Sequence, residues 1–171
     1  MDYKQFIHIA ENFPKDGISF KDFTPLLANH EALMSAKKEI VKQLSGRTID
    51  VVIGIESRGF ILGPLVTADM GLGFVMARKK GKLPPPYITT GEYTLEYGNA
   101  ALCIPTTVIK PGMRIHLHDD VLATGGTITS VIECLEKYGC IVDSLSFIID
   151  LTFLHDKEKL KNFYYVSLME Y

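Results

Sequence analysis

Covalent cross-links are scarce in this chain. Its 171 residues include three cysteines, Cys103, Cys134 and Cys140, an odd count with no C-x-x-C pair. That argues against a disulfide framework, favours a reducing compartment, and leaves the three thiols as small core residues. Long apolar runs are missing as well, and no uninterrupted stretch reaches the length that spans a bilayer. The N-terminal MDYKQFIHIAENF lacks the basic region and apolar stretch of a secretory signal. Charge of one sign is not in excess either: 18 Lys and Arg stand against 20 Asp and Glu, a net charge of −2. The balance gives no bulk reason to expect nucleic acid or an anionic membrane as partner. Two common nucleotide signatures are also absent, G-x-x-x-x-G-K-[ST] and a G-x-G-x-x-G that opens a helix. By elimination, the expectation is a soluble cytoplasmic protein.

What is present is the composition of a globular protein, 47% hydrophobic and 22% charged. The length suits a single domain over 1–171 with a core of real size. Residues 2–11 read as a short helix, and FPKDGISFKDFTPLL then breaks regularity at Pro14, Gly17 and Pro25. NHEALMSAKKEIVKQLSG reads as a helix capped by Asn29, with Leu33, Ala36, Ile40 and Leu44 on one face and Gly46 as its stop. TIDVVIGI is β-branched and apolar and reads as a buried strand. A helix is expected after ESRG, ending near Gly71, and LGFVMA is the next strand. AALCI and RIHLH are strands split by the turn signal KPG. Ile128, Val131, Ile132 and Leu135 then recur at helical spacing, and Gly139 sits where a left-handed cap belongs. CIVDSLSFIIDL and FYYVSL close the series as strands, with a short helix from His155 to Lys161 between them. Alternating strands and helices argue for a mostly parallel α/β sheet flanked by helices.

Asp119 and Asp120 fall at the end of the strand IHLH, on the edge where open α/β sheets bind ligands. Behind them comes ATGGT and then a helix. Unsatisfied N–H groups and the partial positive charge of that helix start make a ready phosphate site. The dipole contributes about 0.3–1 kcal/mol, whereas charge-assisted bonds from the loop amides and the hydroxyls of Thr124 and Thr127 contribute roughly 1.5–3 kcal/mol each. Two carboxylates are misplaced beside a phosphate unless they face neutral hydroxyls. A sugar phosphate satisfies both halves, with phosphate in the turn and ribose hydroxyls donating to the acidic pair. An ordinary acidic turn is the alternative that spacing alone leaves open.

Other chemistry-bearing residues are fewer. Arg58, in GIESRGF, carries positive charge at a helix start, against the dipole, which favours an anionic partner. Arg78, Lys79, Lys80 and Lys82 form a basic run that flanks a stretch without periodicity, from Arg78 to about Gly98. His116 and His118 form H-x-H on one strand face, but no third ligand has suggestive spacing, so a metal site is not expected. Phe20, on residue type alone, reads as core, and Glu96 as a solvated loop glutamate.

Taken together, IHLHDDVLATGGT resembles the phosphoribosyl pyrophosphate (PRPP) motif of the type I phosphoribosyltransferases, and LATGGT is closest to the form in members that act on adenine. FPKDGISFKDFTPLL is similar to that family's base-recognition segment, GIESRGFILGP to its pyrophosphate loop, and RKKGKLP with YTLEYG to its mobile catalytic loop. The resemblance spans nearly the whole chain, with His118 and Lys21 as departures, since the family usually has an aliphatic residue and arginine there. It implies the type I fold with a small N-terminal hood (about 1–30) and a lid loop (about 79–97). It implies purine salvage, with ribose 5-phosphate passing from PRPP to adenine to give AMP and pyrophosphate. PRPP and AMP would be held by Asp119, Asp120, Ala123, Thr124, Gly125, Gly126 and Thr127. Pyrophosphate would be held by Arg58, Arg78, Lys82 and the N–H groups of Glu56 and Ser57. The base would lie between Phe20 and Val121 and be read by backbone groups at Ser19 and Lys21. Glu96 would handle the proton and, with Arg58, carry catalysis, while Tyr97 packs beside the ribose. Mg²⁺ would arrive on PRPP, with no dedicated protein metal site. The resemblance also implies a homodimer in which Arg78 reaches the neighbouring subunit's site. Another purine as substrate, a non-catalytic sensor of nucleotide or PRPP, and a flavodoxin-like mononucleotide binder remain as alternatives.

Overall fold

The fold is given by a computed structural model that describes residues 1–91, 93–95 and 98–171, with side chains described for all of these except 93–95, 98–100 and 157. Residues 2–11 are not one helix. A single 3₁₀ turn, Tyr3–Phe6, is followed by strand β1 (His8–Glu11), which pairs antiparallel with β2 (Ser19–Asp22). Helices α1 (Thr24–Ala28) and α2 (His30–Leu44) come next. Asn29 caps α2 as expected, its side-chain oxygen accepting from Ala32 N–H at 2.9 Å. The buried stripe of α2 is Ala32, Ala36, Ile40 and Leu44, while Leu33 is only partly buried.

Strand β3 (Val51–Ile55) is buried at every position, as a strand covered on both faces must be. Helix α3 (Gly59–Met70) ends in left-handed Gly71, and β4 (Gly73–Lys79) runs back parallel to β3. Four short strands follow: β5 (Tyr87–Thr89), β6 (Tyr93–Leu95), β7 (Gly98–Ala100) and β8 (Leu102–Pro105). Then come β9 (Arg114–Leu122), α4 (Gly126–Tyr138), β10 (Ile141–Asp150), a 3₁₀ turn at Lys157–Leu160, and β11 (Tyr164–Glu170). The helix expected from His155 shrinks to that turn.

The central sheet has seven strands in the order β11-β10-β9-β3-β4-β8-β5. The five from β11 to β4 are parallel, and β8 and β5 are antiparallel at one edge. Helix α4 covers one face with Ile128, Val131, Ile132 and Leu135, packed on Ile53, Ile115 and Leu117. Helices α1, α2 and α3 cover the other with Leu26, Ile40, Leu44 and Leu62. Each such side chain, fully buried, contributes roughly 1.5–3 kcal/mol. The amino-terminal edge of the sheet is tied by charge: buried Asp143 accepts from Arg47 Nε at 2.6 Å and pairs with Arg114. The opposite, carboxyl-terminal edge is thereby left to carry the loops after β3, β4, β9 and β10. Among the described residues, no helix is long and apolar enough to cross a membrane.

Candidate active site

Strand β9 runs further than its apolar segment, so Asp119 and Asp120 belong to the strand itself, with Leu122 as its last residue. Alternation along the strand sends them to opposite faces. The β9–β3 pairing ends at His118, opposite Gly54, so Asp119 stands level with Ile55, the last residue of β3, and Asp120 lies beyond it. There the pair meets the start of α3. Gly59 makes that closeness possible, because a Cβ on it would stand 2.8 Å from His118 O and 3.3 Å from Asp119 Cα.

Asp119 Oδ1 accepts the Asp120 N–H at 2.9 Å. Burial raises its carboxyl well above the usual range, and the neighbouring Asp120 charge raises it further. Asp120 is itself buried, and its Oδ2 lies 2.6 Å from Arg58 Nε, at ion-pair distance but off the line of a hydrogen bond. The Arg58 guanidinium also sits over Phe20, at 5.6 Å, and Phe23, at 5.8 Å. Arg58 therefore links the N-terminal hairpin to the acidic pair.

Phe20 is half-buried rather than a core residue, and meets Phe13 edge-on at 5.4 Å. Ser19 and Lys21 flank it on β2, and Lys21 Nζ donates to Ser19 Oγ at 2.7 Å. Val121, next to Asp120, packs against the core layer that holds Phe23 and Leu26. The two residues expected to enclose a base thus lie on the two elements that Arg58 joins.

Beyond Leu122 the chain bends through Ala123, Thr124 and Gly125 into α4. Gly125 has φ +79°, a conformation glycine adopts without strain. Among the described residues, no protein acceptor takes the N–H groups of Thr124, Gly125, Gly126 or Thr127. Consecutive donors at a helix start form an anion cradle.

The loop after β3 corrects one expectation. Glu56 N–H is donated to Ala77 O at 3.0 Å, so it is spent in the sheet and is not available to an anion. Glu56 acts instead through its carboxylate. That group accepts Lys79 N–H at 2.7 Å and stands 3.5 Å from Arg78 Nε and 3.8 Å from Lys82 Nζ. Arg78 also donates to Lys82 O at 3.1 Å, so it lies against its own chain. The N–H groups of Ser57 and Arg58 remain without a protein acceptor among the described residues. The Glu56–Ser57 peptide is cis. Glu96 and Tyr97 lie outside the described residues.

The H-x-H pair is structural. His116 bonds Ser144 Oγ at 2.9 Å and Ser146 Oγ at 2.7 Å, and His118 bonds Ser146 Oγ at 2.8 Å. Burial drives both imidazoles down, His116 to about 3 and His118 to about 4. Both are therefore neutral at physiological pH. At His118, where the family usually has an aliphatic residue, register partner Ser146 satisfies Nδ1, while Nε2 is buried without a partner among the described residues. Sequence reading missed Asp150 and His155, which meet at 2.6 Å beside the bend. They are five residues apart across a strand end, a spacing that signals nothing by itself.

Comparison with known proteins agrees with this geometry. A family model described as the phosphoribosyl transferase domain matches residues 23–169. The adenine phosphoribosyltransferase of Clostridium beijerinckii is 47% identical over 171 residues, which is all of this chain and 99% of that relative. The crystal structure of the adenine phosphoribosyltransferase from Thermoanaerobacter pseudethanolicus is similar at a TM-score of 0.92 and 40% identity, covering 99% of this chain and 98% of that one. The Saccharomyces cerevisiae adenine phosphoribosyltransferase, solved with an imino-altritol bisphosphate and adenine, is similar at a TM-score of 0.86 and 32% identity over 98% of this chain and 97% of that one.

Proposed function

We infer the chemistry of this site from one premise: the chain belongs to the adenine phosphoribosyltransferase family. It transfers ribose 5-phosphate from PRPP to adenine, a purine-salvage reaction that yields AMP and pyrophosphate. The observation that carries the assignment of parts is the sequence of a paired carboxylate followed at once by four amides that have no protein acceptor among the described residues. The amides of Thr124 to Thr127, with the two threonine hydroxyls, hold the 5′-phosphate. Asp119 and Asp120 accept the ribose diol.

Pyrophosphate then lies towards the start of α3, where Arg58 and the N–H groups of Ser57 and Arg58 face it. As the bond from C1′ to the pyrophosphate oxygen lengthens, negative charge grows on the leaving group and positive charge on the sugar. Arg58 stabilises the first and the acidic pair the second. Adenine N9 forms the new bond to C1′, and Glu96 takes the proton that N9 gives up. Lys82 turns from Glu56 towards the departing anion, Arg78 leaves Glu56 for the anion in the neighbouring subunit's site, and Tyr97 covers the ribose. The base lies between Phe20 and Val121 and is read by backbone groups at Ser19 and Lys21. Residues 1–30 act as the hood and 79–97 as a lid that excludes water from a cation-like sugar.

Among the described residues, no three His, Cys, Asp or Glu side chains stand together as metal ligands. On this reading Mg²⁺ enters as part of the Mg–PRPP substrate. A homodimer in the cytoplasm completes the reading.

The deciding experiment offers adenine, hypoxanthine, guanine and xanthine together with PRPP and follows each nucleotide formed. AMP is expected to dominate by orders of magnitude. An oxopurine nucleotide as main product removes the adenine assignment, and no nucleotide at all removes the enzyme. The cradle is tested separately by Gly125→Ala. A side chain at φ +79° costs about 1–2 kcal/mol, and no atom stands closer than 4.0 Å to the added carbon. The expected result is a small fall in the melting temperature with a larger rise in KM for PRPP, and no change in KM for adenine.

A further inference from the structure

The bend at residues 123–125 is tied to α4 by Gly125 O, which accepts Thr129 N–H at 3.0 Å, but among the described residues the N–H groups of Thr124 and Gly125 have no protein acceptor to fix their direction. Something outside it sets that shape. The face of Gly125 where a side chain would project is 4.0 Å from His155 Cβ and 4.0 Å from Leu122 Cδ1. His155 is therefore a polar residue whose Cβ lies against that face of the turn. Its side chain is 2% exposed, and its Nε2 lies 2.6 Å from Asp150 Oδ1, on a carboxylate that is 0% exposed.

Asp150 is fixed by the sheet. It is the last residue of β10 and stands in register with Leu122, the last residue of β9. Its carbonyl accepts Tyr171 N–H at 2.9 Å, and the next amide, Leu151 N–H, donates to Leu122 O at 2.9 Å. His155 is held from its other side by the turn it sits in, because Leu154 N–H donates to Leu151 O at 2.9 Å and Asp156 caps the following 3₁₀ turn through Glu158 N–H. Among the described residues, two buried atoms of the pair, His155 Nδ1 and Asp150 Oδ2, have no partner at hydrogen-bond geometry, although the Tyr165 hydroxyl, raised first by burial, lies near enough to be raised further by the Asp150 charge. A buried dyad with spare hydrogen-bonding capacity is costly as packing alone.

We propose that the Asp150–His155 pair is the positioning element of the phosphate-binding bend, transmitting the rigidity of the β9–β10 ladder to Gly125. The proposal rests on the reading of residues 124–127 as the 5′-phosphate site. The imidazole need not touch the ligand. It fixes the turn so that consecutive amides converge on one anion, and the carboxylate fixes the imidazole.

The test compares steady-state constants and melting temperatures for wild type, Gly125→Ala, His155→Leu, His155→Asn and Asp150→Asn. Gly125→Ala checks the underlying reading: if it leaves KM for PRPP unchanged, the phosphate site is elsewhere and the proposal falls with it. Given a response there, His155→Leu fills the space but cannot donate to Asp150. The expected result is a rise in KM for PRPP of roughly 10- to 100-fold, the scale usual for groups that orient a binding shell. KM for adenine and kcat should change little. His155→Asn, which restores a donor, should recover part of the loss. Asp150→Asn, which keeps an acceptor but removes the charge, should show an intermediate rise. A His155→Leu enzyme with wild-type KM for PRPP overturns the proposal and leaves the pair as packing. So does a uniform loss in which both KM values and the melting temperature move together.

Discussion

With Asp119 and Asp120 both changed to asparagine, kcat/KM for PRPP should fall by roughly 10²- to 10⁴-fold. Two hydrogen bonds from ribose hydroxyls to charged acceptors are lost, each contributing roughly 1.5–3 kcal/mol, and every 1.4 kcal/mol is about tenfold in rate. The single variants separate catalysis from folding. Asp119 is half-buried beside a like charge, and its carboxyl is raised by burial first and by Asp120 second. A raised carboxyl means that the folded state resists ionisation, so stability is lost as pH rises from the unfolded value towards the folded one. At neutral pH that cost is present, and Asp119→Asn removes it. The variant should therefore melt at the wild-type temperature or higher while losing activity. Asp120→Asn should behave differently, because it also leaves Arg58 without its ion-pair partner at 2.6 Å. Paired measurements of AMP formation and thermal unfolding decide the matter. Activity that falls only in proportion to lost stability would count against a substrate role for either residue.

Mild acid should unfold the protein through the two buried histidines. Their folded values, about 3 for His116 and about 4 for His118, lie well below the ordinary 6.5. Burial is the main cause in both, and for His116 the neighbouring His118 adds to it. The unfolded chain therefore takes up protons first as pH falls. Stability is intact above about 6.5 and drains away as pH drops towards the folded values. Between pH 7.5 and 5 each histidine accounts for a loss of about 2 kcal/mol, or about 4 kcal/mol together. Asp119 opposes this trend, since protonating it in the folded state is favourable. His118→Leu isolates the effect. Urea unfolding at the two pH values should show the acid-induced loss reduced by about 2 kcal/mol in the variant. An unchanged loss would mean that His118 does not stay neutral in the folded protein.

Much of the architecture could be read from the chain because its signals were local. Asn29, Gly71 and Gly139 mark helix ends by capping chemistry, and each stands where the structure puts it. The stripe on α4 was complete in the sequence, since a 3.6-residue period over thirteen residues has no competing reading. The acidic pair and its glycine turn were legible for a similar reason, as adjacent residues of one strand-turn-helix unit. Failures occurred where local signals were weak or the decisive contact was distant. Residues 2–11 are too few for a period to separate helix from strand, and the pairing of Ala10 with Phe20 decided the outcome. Strands of three residues, such as β5, carry too little alternation to show. The Glu56 N–H looked available because nothing in GIESRG reveals that Ala77 O lies 3.0 Å away on β4. His116 and His118 could not be paired with Ser144 and Ser146 until β9 and β10 were known to be in register.

The contact between Arg58 and Asp120 has a consequence for what the protein accepts. The two ends are unequally sheltered, the arginine side chain 45% exposed and the carboxylate 8%. A bare anion that draws Arg58 away strands a sheltered carboxylate with nothing to replace its partner. A bare sugar that takes the carboxylate merely returns a well-hydrated guanidinium to water. Only a molecule carrying a diol and an anion at the right separation substitutes for both halves at once. On the proposed reading of the site, the pair would therefore disfavour an anion that arrives without the diol, before any bond is broken.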